Sequence, residues 1–140
     1  MQSMTRSIPS ILKIPLGLLL AVLPTRAHHS FAAEYDQNKQ IKVTGIVSKV
    51  EWTNPHSHMY VDVKDDKGAV TNWNFEFGSP NNLFRGGWTR NTVKAGDQVT
   101  IEGYMAKDGA HMAQTRLVTL SDGRKMPGFG SGDAGGGPSK

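Results

Sequence analysis

Residues 52–63, WTNPHSHMYVDV, decide how the rest of the chain reads. Thr53-Asn54-Pro55 marks a turn, because proline fixes φ and pushes the residue before it into extended or turn geometry. From His58 the residues alternate, with Met59, Val61 and Val63 on one side and His58, Tyr60 and Asp62 on the other. That period predicts a strand with an apolar inner face. Its outer face carries groups that ligate metal or form hydrogen bonds.

Downstream, Asp66-Lys67-Gly68 reads as a three-residue hairpin loop with glycine in the left-handed position, leading into a strand over 69–77. This loop length sets His58 opposite Glu76, Tyr60 opposite Asn74 and Asp62 opposite Asn72. Upstream, residues 40–51 form a first strand, and the adjacent Ile46-Val47 suggests a bulge near Gly45. Ser79-Pro80 and Gly86-Gly87 bracket a short helix, with the N-cap, proline and C-terminal glycine in the favoured order. A turn at residues 94–97 opens a fourth strand, 98–105, and Asp108-Gly109 tips a hairpin into a fifth, 110–120. The phase of the last hairpin is ambiguous, so His111 is not placed.

Three strands, a helix and two strands predict an all-β domain, a small five-stranded OB-like barrel, with a small sandwich as the alternative. In the barrel, strands two and three and the loops joining strands 1–2 and 4–5 form the ligand face. That face would carry Trp52, Asn54, Tyr60, Asn72, Asn74, Glu76, Trp88 and Arg90. The domain spans 40–123, preceded by an N-terminal arm, 28–39, that packs through Phe31 and Tyr35. It is followed by a tail, 124–140, whose Gly-rich composition from Pro127 onward predicts flexibility.

Residues 1–27 have the composition of a signal peptide: Arg6 and Lys13, the apolar run 14–23, and Thr25-Arg26-Ala27. The apolar run is about half the roughly 20 residues that a spanning helix needs. Cleavage after Ala27 makes His28 the mature N-terminus and removes three basic residues, leaving 13 basic against 12 acidic. So even a balance argues against a nucleic-acid partner. With no cysteine, the domain holds together without disulfides. The reading is a periplasmic or secreted protein with no membrane span once the leader is gone.

Two histidine constellations carry chemistry. At a free N-terminus, His28 offers its amine and ring to one ion, beside His29. Imidazole suits copper and zinc, and Cu(II) outcompetes other divalent ions for nitrogen ligands. About 12 residues separate His28 from the first strand, and an extended chain covers roughly 3.3 Å per residue, so His56 or His58 is within reach. His56 and His58, two apart on a strand, would share a face, with Glu76 behind a ligating ring. Set against this, both pairs read equally as solvated or turn-forming residues. Met59, Met105 and Met112 would be soft copper ligands, but packing suits them better. Trp52, Trp88 and Tyr60 would stack on a sugar or peptide, although tryptophan in a small barrel more often fills the core. Enzyme signatures are thin: no serine has nucleophile-elbow surroundings, and the carboxylates are scattered over turns.

Six strings resemble a family of small exported bacterial proteins with a domain of unknown function: residues 28–31 (HHSF), 52–57 (WTNPHS), 78–81 (GSPN), 87–90 (GWTR), 95–97 (AGD) and 103–109 (GYMAKDG). The resemblance covers nearly all of 28–123 and implies export and a barrel-like domain, with no established activity. The family pattern carries an aromatic residue where this chain has His58, which weakens His58 as a family-wide ligand. The expected function is a non-enzymatic exported binding domain that holds copper, or zinc, through His28, His29, His56 and His58. The alternative is an accessory module that binds a protein or saccharide on the strand 2–3 face, with structural histidines.

Overall fold

The computed structural model describes residues 31–130. A short helix α1 (Phe31–Glu34) leads directly into β1 (Tyr35–Glu51), followed by β2 (Ser57–Lys64) and β3 (Val70–Phe77). Helix α2 (Pro80–Arg85) precedes β4 (Gln98–Ala106), β5 (Met112–Leu120) and β6 (Lys125–Pro127). The sheet runs β3-β2-β1-β4-β5-β6, and a parallel β3–β5 pairing closes its first five strands into a ring. This is the expected all-β, OB-like order, with α2 between the third and fourth strands of the ring.

Alternation in β2 and β3 builds the interior. Met59, Val61, Phe75, Ile101, Ala113 and Val118 are each at most 2% exposed, and burying side chains of the larger kinds stabilises by about 1.5–3 kcal/mol apiece. Leu83 of α2 and Trp88 join the same core. The β2–β3 register is the expected one: His58 opposes Glu76, Tyr60 opposes Asn74 and Asp62 opposes Asn72. Gly68, at φ 87°, occupies the left-handed position in that hairpin. The Ser79 side chain caps α2 by accepting from the Asn82 amide at 3.4 Å.

Three expectations need correction. The first strand begins at Tyr35 rather than residue 40, because Tyr35 already pairs with Ala106, and the intervening residues bulge out before Gln40 pairs with Tyr104. The bulge in the β1–β2 ladder lies between Val47 and Lys49, not near Gly45. Gly45 instead lies so close to β2 that a Cβ there would be 2.5 Å from the Asp62 carbonyl oxygen. Finally, the region read as a flexible tail from 124 begins as β6. Met126 is 8% exposed, Gly128 N–H donates to the Arg116 carbonyl, and Gly78 N–H donates to the Gly128 carbonyl. These tertiary bonds order a segment whose composition alone lacks the apolar surface to do so. Residues 1–30, which include the expected signal peptide, His28 and His29, and residues 131–140 lie outside the described residues.

Candidate functional site

Residue 76 falls on the outward phase of β3, between Phe75 and Phe77, yet it is a glutamate only 5% exposed. A buried carboxylate is costly unless its oxygens are satisfied. Both are. Oε1 meets His56 Nδ1 at 2.6 Å, and Oε2 accepts a short hydrogen bond from the Tyr35 hydroxyl. Three remote parts of the chain thus converge: the start of β1, the end of β3 and the β1–β2 loop. Burial first, then the Glu76 bond and charge, push the Tyr35 hydroxyl far above the usual tyrosine range, so it stays protonated and donates.

Each partner is positioned locally. The residue before His56 follows a cis Asn54–Pro55 bond, and the Thr53 hydroxyl donates to the His56 carbonyl at 2.7 Å. The His56 ring, 26% exposed at its side chain, stands edge-on to Phe129 of the segment after β6, with centroids 5.7 Å apart. Tyr35 packs on Phe31 at 6.0 Å, and Phe31 meets Tyr104 edge-on at 5.3 Å. Lys107 N–H donates to the Glu34 carbonyl at 2.9 Å, joining the β4–β5 loop to the same corner. A groove of about 320 Å³ beside Tyr35 is lined by Glu34, Ala106, Lys107, Asp108 and Met112, among others.

Of the expected ligands, His56 and His58 turn to different partners. His56 precedes β2, and its ring goes to Glu76. His58 Nδ1 lies 2.9 Å from Asn74 Oδ1, although its register partner is Glu76. Among the described residues, no group of three or more histidine and carboxylate side chains is arranged to hold a metal ion. His111 is exposed, sets its ring edge-on to Trp73 at 5.2 Å and accepts the Asn74 N–H through its carbonyl.

Apart from the buried Glu76, the expected ligand face divides in four. Tyr60, Asn72 and Asn74 are tied to their neighbours on the outer surface. The Tyr60 hydroxyl donates to Glu51 at 3.1 Å, and Asn72 donates to Asp62 at 2.7 Å and to Ser48 at 3.0 Å. Desolvation and the Glu51 bond raise the Tyr60 hydroxyl, while the Lys49 bond leads in lowering the Glu51 carboxyl. Asn54 is exposed in the turn. Trp88 is core, 3% exposed, with Nε1 donating to the Pro127 carbonyl at 2.7 Å. Trp52 is half-buried against Trp88 and Phe84, and the Arg90 guanidinium lies 5.8 Å from the Phe84 ring centre. Sequence reasoning missed Tyr35 as a partner of Glu76, since 41 residues separate the two and no local pattern joins them.

Fold and corner together define a small OB-like β domain with a buried tyrosine–glutamate–histidine chain at one end of its ring. The chain belongs to a family of unknown function, DUF6152, which it matches over residues 17–115. No curated protein matches it. Among solved structures, a similar chain is the N-terminal domain of PriB from Thermoanaerobacter tencongensis, described as dimeric. It is 15% identical, has a TM-score of 0.44, and the match covers 60% of this chain and 97% of that one. No helix among the described residues is long and apolar enough to cross a membrane.

Proposed function

We propose that this protein is an exported, non-enzymatic binding domain, periplasmic or secreted, that holds a transition metal through His56 together with His28 and His29. Copper is the first choice and zinc the second, because the donors are nitrogens and Cu(II) binds such ligands most tightly. The observation that supports the reading is the 2.6 Å contact from Glu76 Oε1 to His56 Nδ1. A carboxylate on one ring nitrogen fixes the tautomer and turn of an imidazole and leaves the other nitrogen to ligate. Here that other nitrogen is Nε2, on a side chain 26% exposed.

The remaining donors come from residues 28 and 29, which lie outside the described residues. Phe31 is the third residue after His28, a reach of roughly 10 Å for an extended chain. Phe31 itself packs on Tyr35, whose hydroxyl meets the same carboxylate as His56. Export rests on the charge and apolar pattern of residues 1–27. His58 is left out of the first set, since its ring is engaged with Asn74.

The alternative, a protein- or saccharide-binding face across β2 and β3, has less support. Tyr60, Asn72 and Asn74 spend their polar groups on Glu51, Asp62, Ser48 and His58.

The deciding experiment titrates Cu(II) into protein beginning at His28, with a control carrying one extra N-terminal residue. Tight one-to-one binding with nitrogen coupling in the electron paramagnetic resonance spectrum is expected, and both the extra residue and His56→Ala should abolish it. Weak binding that ignores both changes would sink the metal reading.

A further inference from the structure

Between Glu76 and Asp97 the chain carries Arg85, Arg90 and Lys94 and no acidic residue. All three are exposed. The ion pairs among the described residues involve Lys42, Lys49, His56, Arg116 and Arg124, and none of these three cations. Among the described residues this positive charge has no ion-pair partner, on a chain with a nearly even balance elsewhere.

The same stretch exposes an aromatic surface. Phe84 is 37% exposed, large for a phenylalanine in a small domain. Trp52 lies beside it with centroids 5.4 Å apart and planes tilted 34°. Beneath, Trp52 rests edge-on against Trp88 at 6.4 Å, and Trp88 is buried and fixed to the Pro127 carbonyl. The platform is thus held from below. Arg90 stands 5.8 Å from the Phe84 ring centre, and Arg85 Nη1 donates to Asn82 Oδ1 at 3.0 Å. The Arg90 guanidinium thus lies over the Phe84 ring, and that of Arg85 is held against Asn82.

We propose that this surface binds an anionic saccharide bearing carboxylates, a uronic-acid oligomer. The apolar C–H face of a pyranose ring would lie on Phe84 and Trp52. Its carboxylates would meet Arg90 and Arg85, whose planar forks match a carboxylate with two parallel hydrogen bonds. Lys94 adds charge to the same stretch. A nucleic acid fits less well, because it needs aromatic rings in series and cations tracking several phosphates. An extended peptide needs an open backbone edge. Here the Gly86, Gly87, Trp88 and Thr92 N–H groups are already spent on Asn82, Phe84, Leu83 and Thr89. This inference is independent of the metal reading.

The test titrates the full chain with oligogalacturonate and, in parallel, oligomannuronate, following tryptophan fluorescence and heat. The methyl-esterified oligomer serves as the neutral counterpart. At least one acidic oligomer should saturate one site, with affinity falling as salt rises, and its ester should bind on the order of tenfold more weakly. Arg90→Gln should weaken binding by a similar factor, while Lys67→Gln in the exposed β2–β3 turn leaves it unchanged. Phe84→Ala should abolish binding, and the surface Arg90→Gln variant keeps the test valid if Phe84→Ala fails to fold. The proposal is overturned if neither acidic oligomer binds, if the ester binds equally well, or if Arg90→Gln binds as the parent does. Tighter binding of a thymidine oligonucleotide or of polyglutamate would also overturn it.

Discussion

Glu76 and His58 face each other in the β2–β3 ladder, yet the Glu76 carboxylate passes over that neighbour and takes His56 at 2.6 Å. The ring of His58 goes diagonally to Asn74 instead. Pairing thus decides which residues are opposite, while burial decides which of them bond.

Glu76→Gln keeps the volume but removes the charge that orients His56. With one amide oxygen left where two carboxylate oxygens served Tyr35 and His56, one of these partners loses its acceptor, and the variant should lose about 1–3 kcal/mol in urea unfolding. Under the metal reading its copper affinity should fall roughly 10- to 100-fold by calorimetry. A well-folded variant with undiminished affinity would detach Glu76 from the ligand.

Tyr35→Phe deletes the donor to Glu76 Oε2 and should cost about 1–3 kcal/mol at neutral pH. It also changes the alkaline limb of stability. The folded state raises the Tyr35 pKa, so its contribution is fully present below the unfolded value near ~10 and fades as pH climbs beyond it. Unfolding midpoints should therefore fall above pH ~10 in the parent and fall less steeply in Tyr35→Phe. Parallel curves for the two would refute the coupling.

Gly128→Ala should lift β6 from the ring. A Cβ at that position would stand 2.3 Å from the Thr115 carbonyl oxygen and 2.6 Å from its Cβ. Overpacking of this kind costs about 1–3 kcal/mol. Because Trp88 Nε1 donates to Pro127 next door, tryptophan emission should shift to the red in the folded variant. Unchanged emission and stability would show that the strand is dispensable.

His58→Ala is the contrasting case. Its bond to Asn74 is one part-buried contact, so a loss of about 0.5–1.5 kcal/mol is expected, and under the metal reading copper affinity should be unchanged. If His58→Ala removed copper as completely as His56→Ala, the ligand set would have to be redrawn around β2.

The strand order and the β2–β3 register were legible because period-two alternation and loop length are local signals. The helix was legible from Ser79-Pro80 and Gly86-Gly87 for the same reason. Three things were not. Lys125-Met126-Pro127 offers a single apolar residue, and its order comes from its hairpin with β5 and from Gly78 and Trp88, both distant in sequence. Tyr35 and Glu76 meet only once the ring closes. Trp88 and Trp52 share a composition signal, but only packing shows that one is buried and the other half-open.

The ring is closed along β3–β5 by only three matched pairs, Asn74 with Met112, Phe75 with Ala113 and Glu76 with Gln114. Glu76 therefore belongs both to the histidine corner and to the shortest of the seams that close the ring. Any occupant that tightens its hold on His56 also tightens that seam. Hydrogen exchange is the natural recorder: amides around 74–76 and 112–114 should slow on ligand addition, while those of the distant β2–β3 hairpin turn keep their pace. The corner would then act as a latch on the closure of the ring.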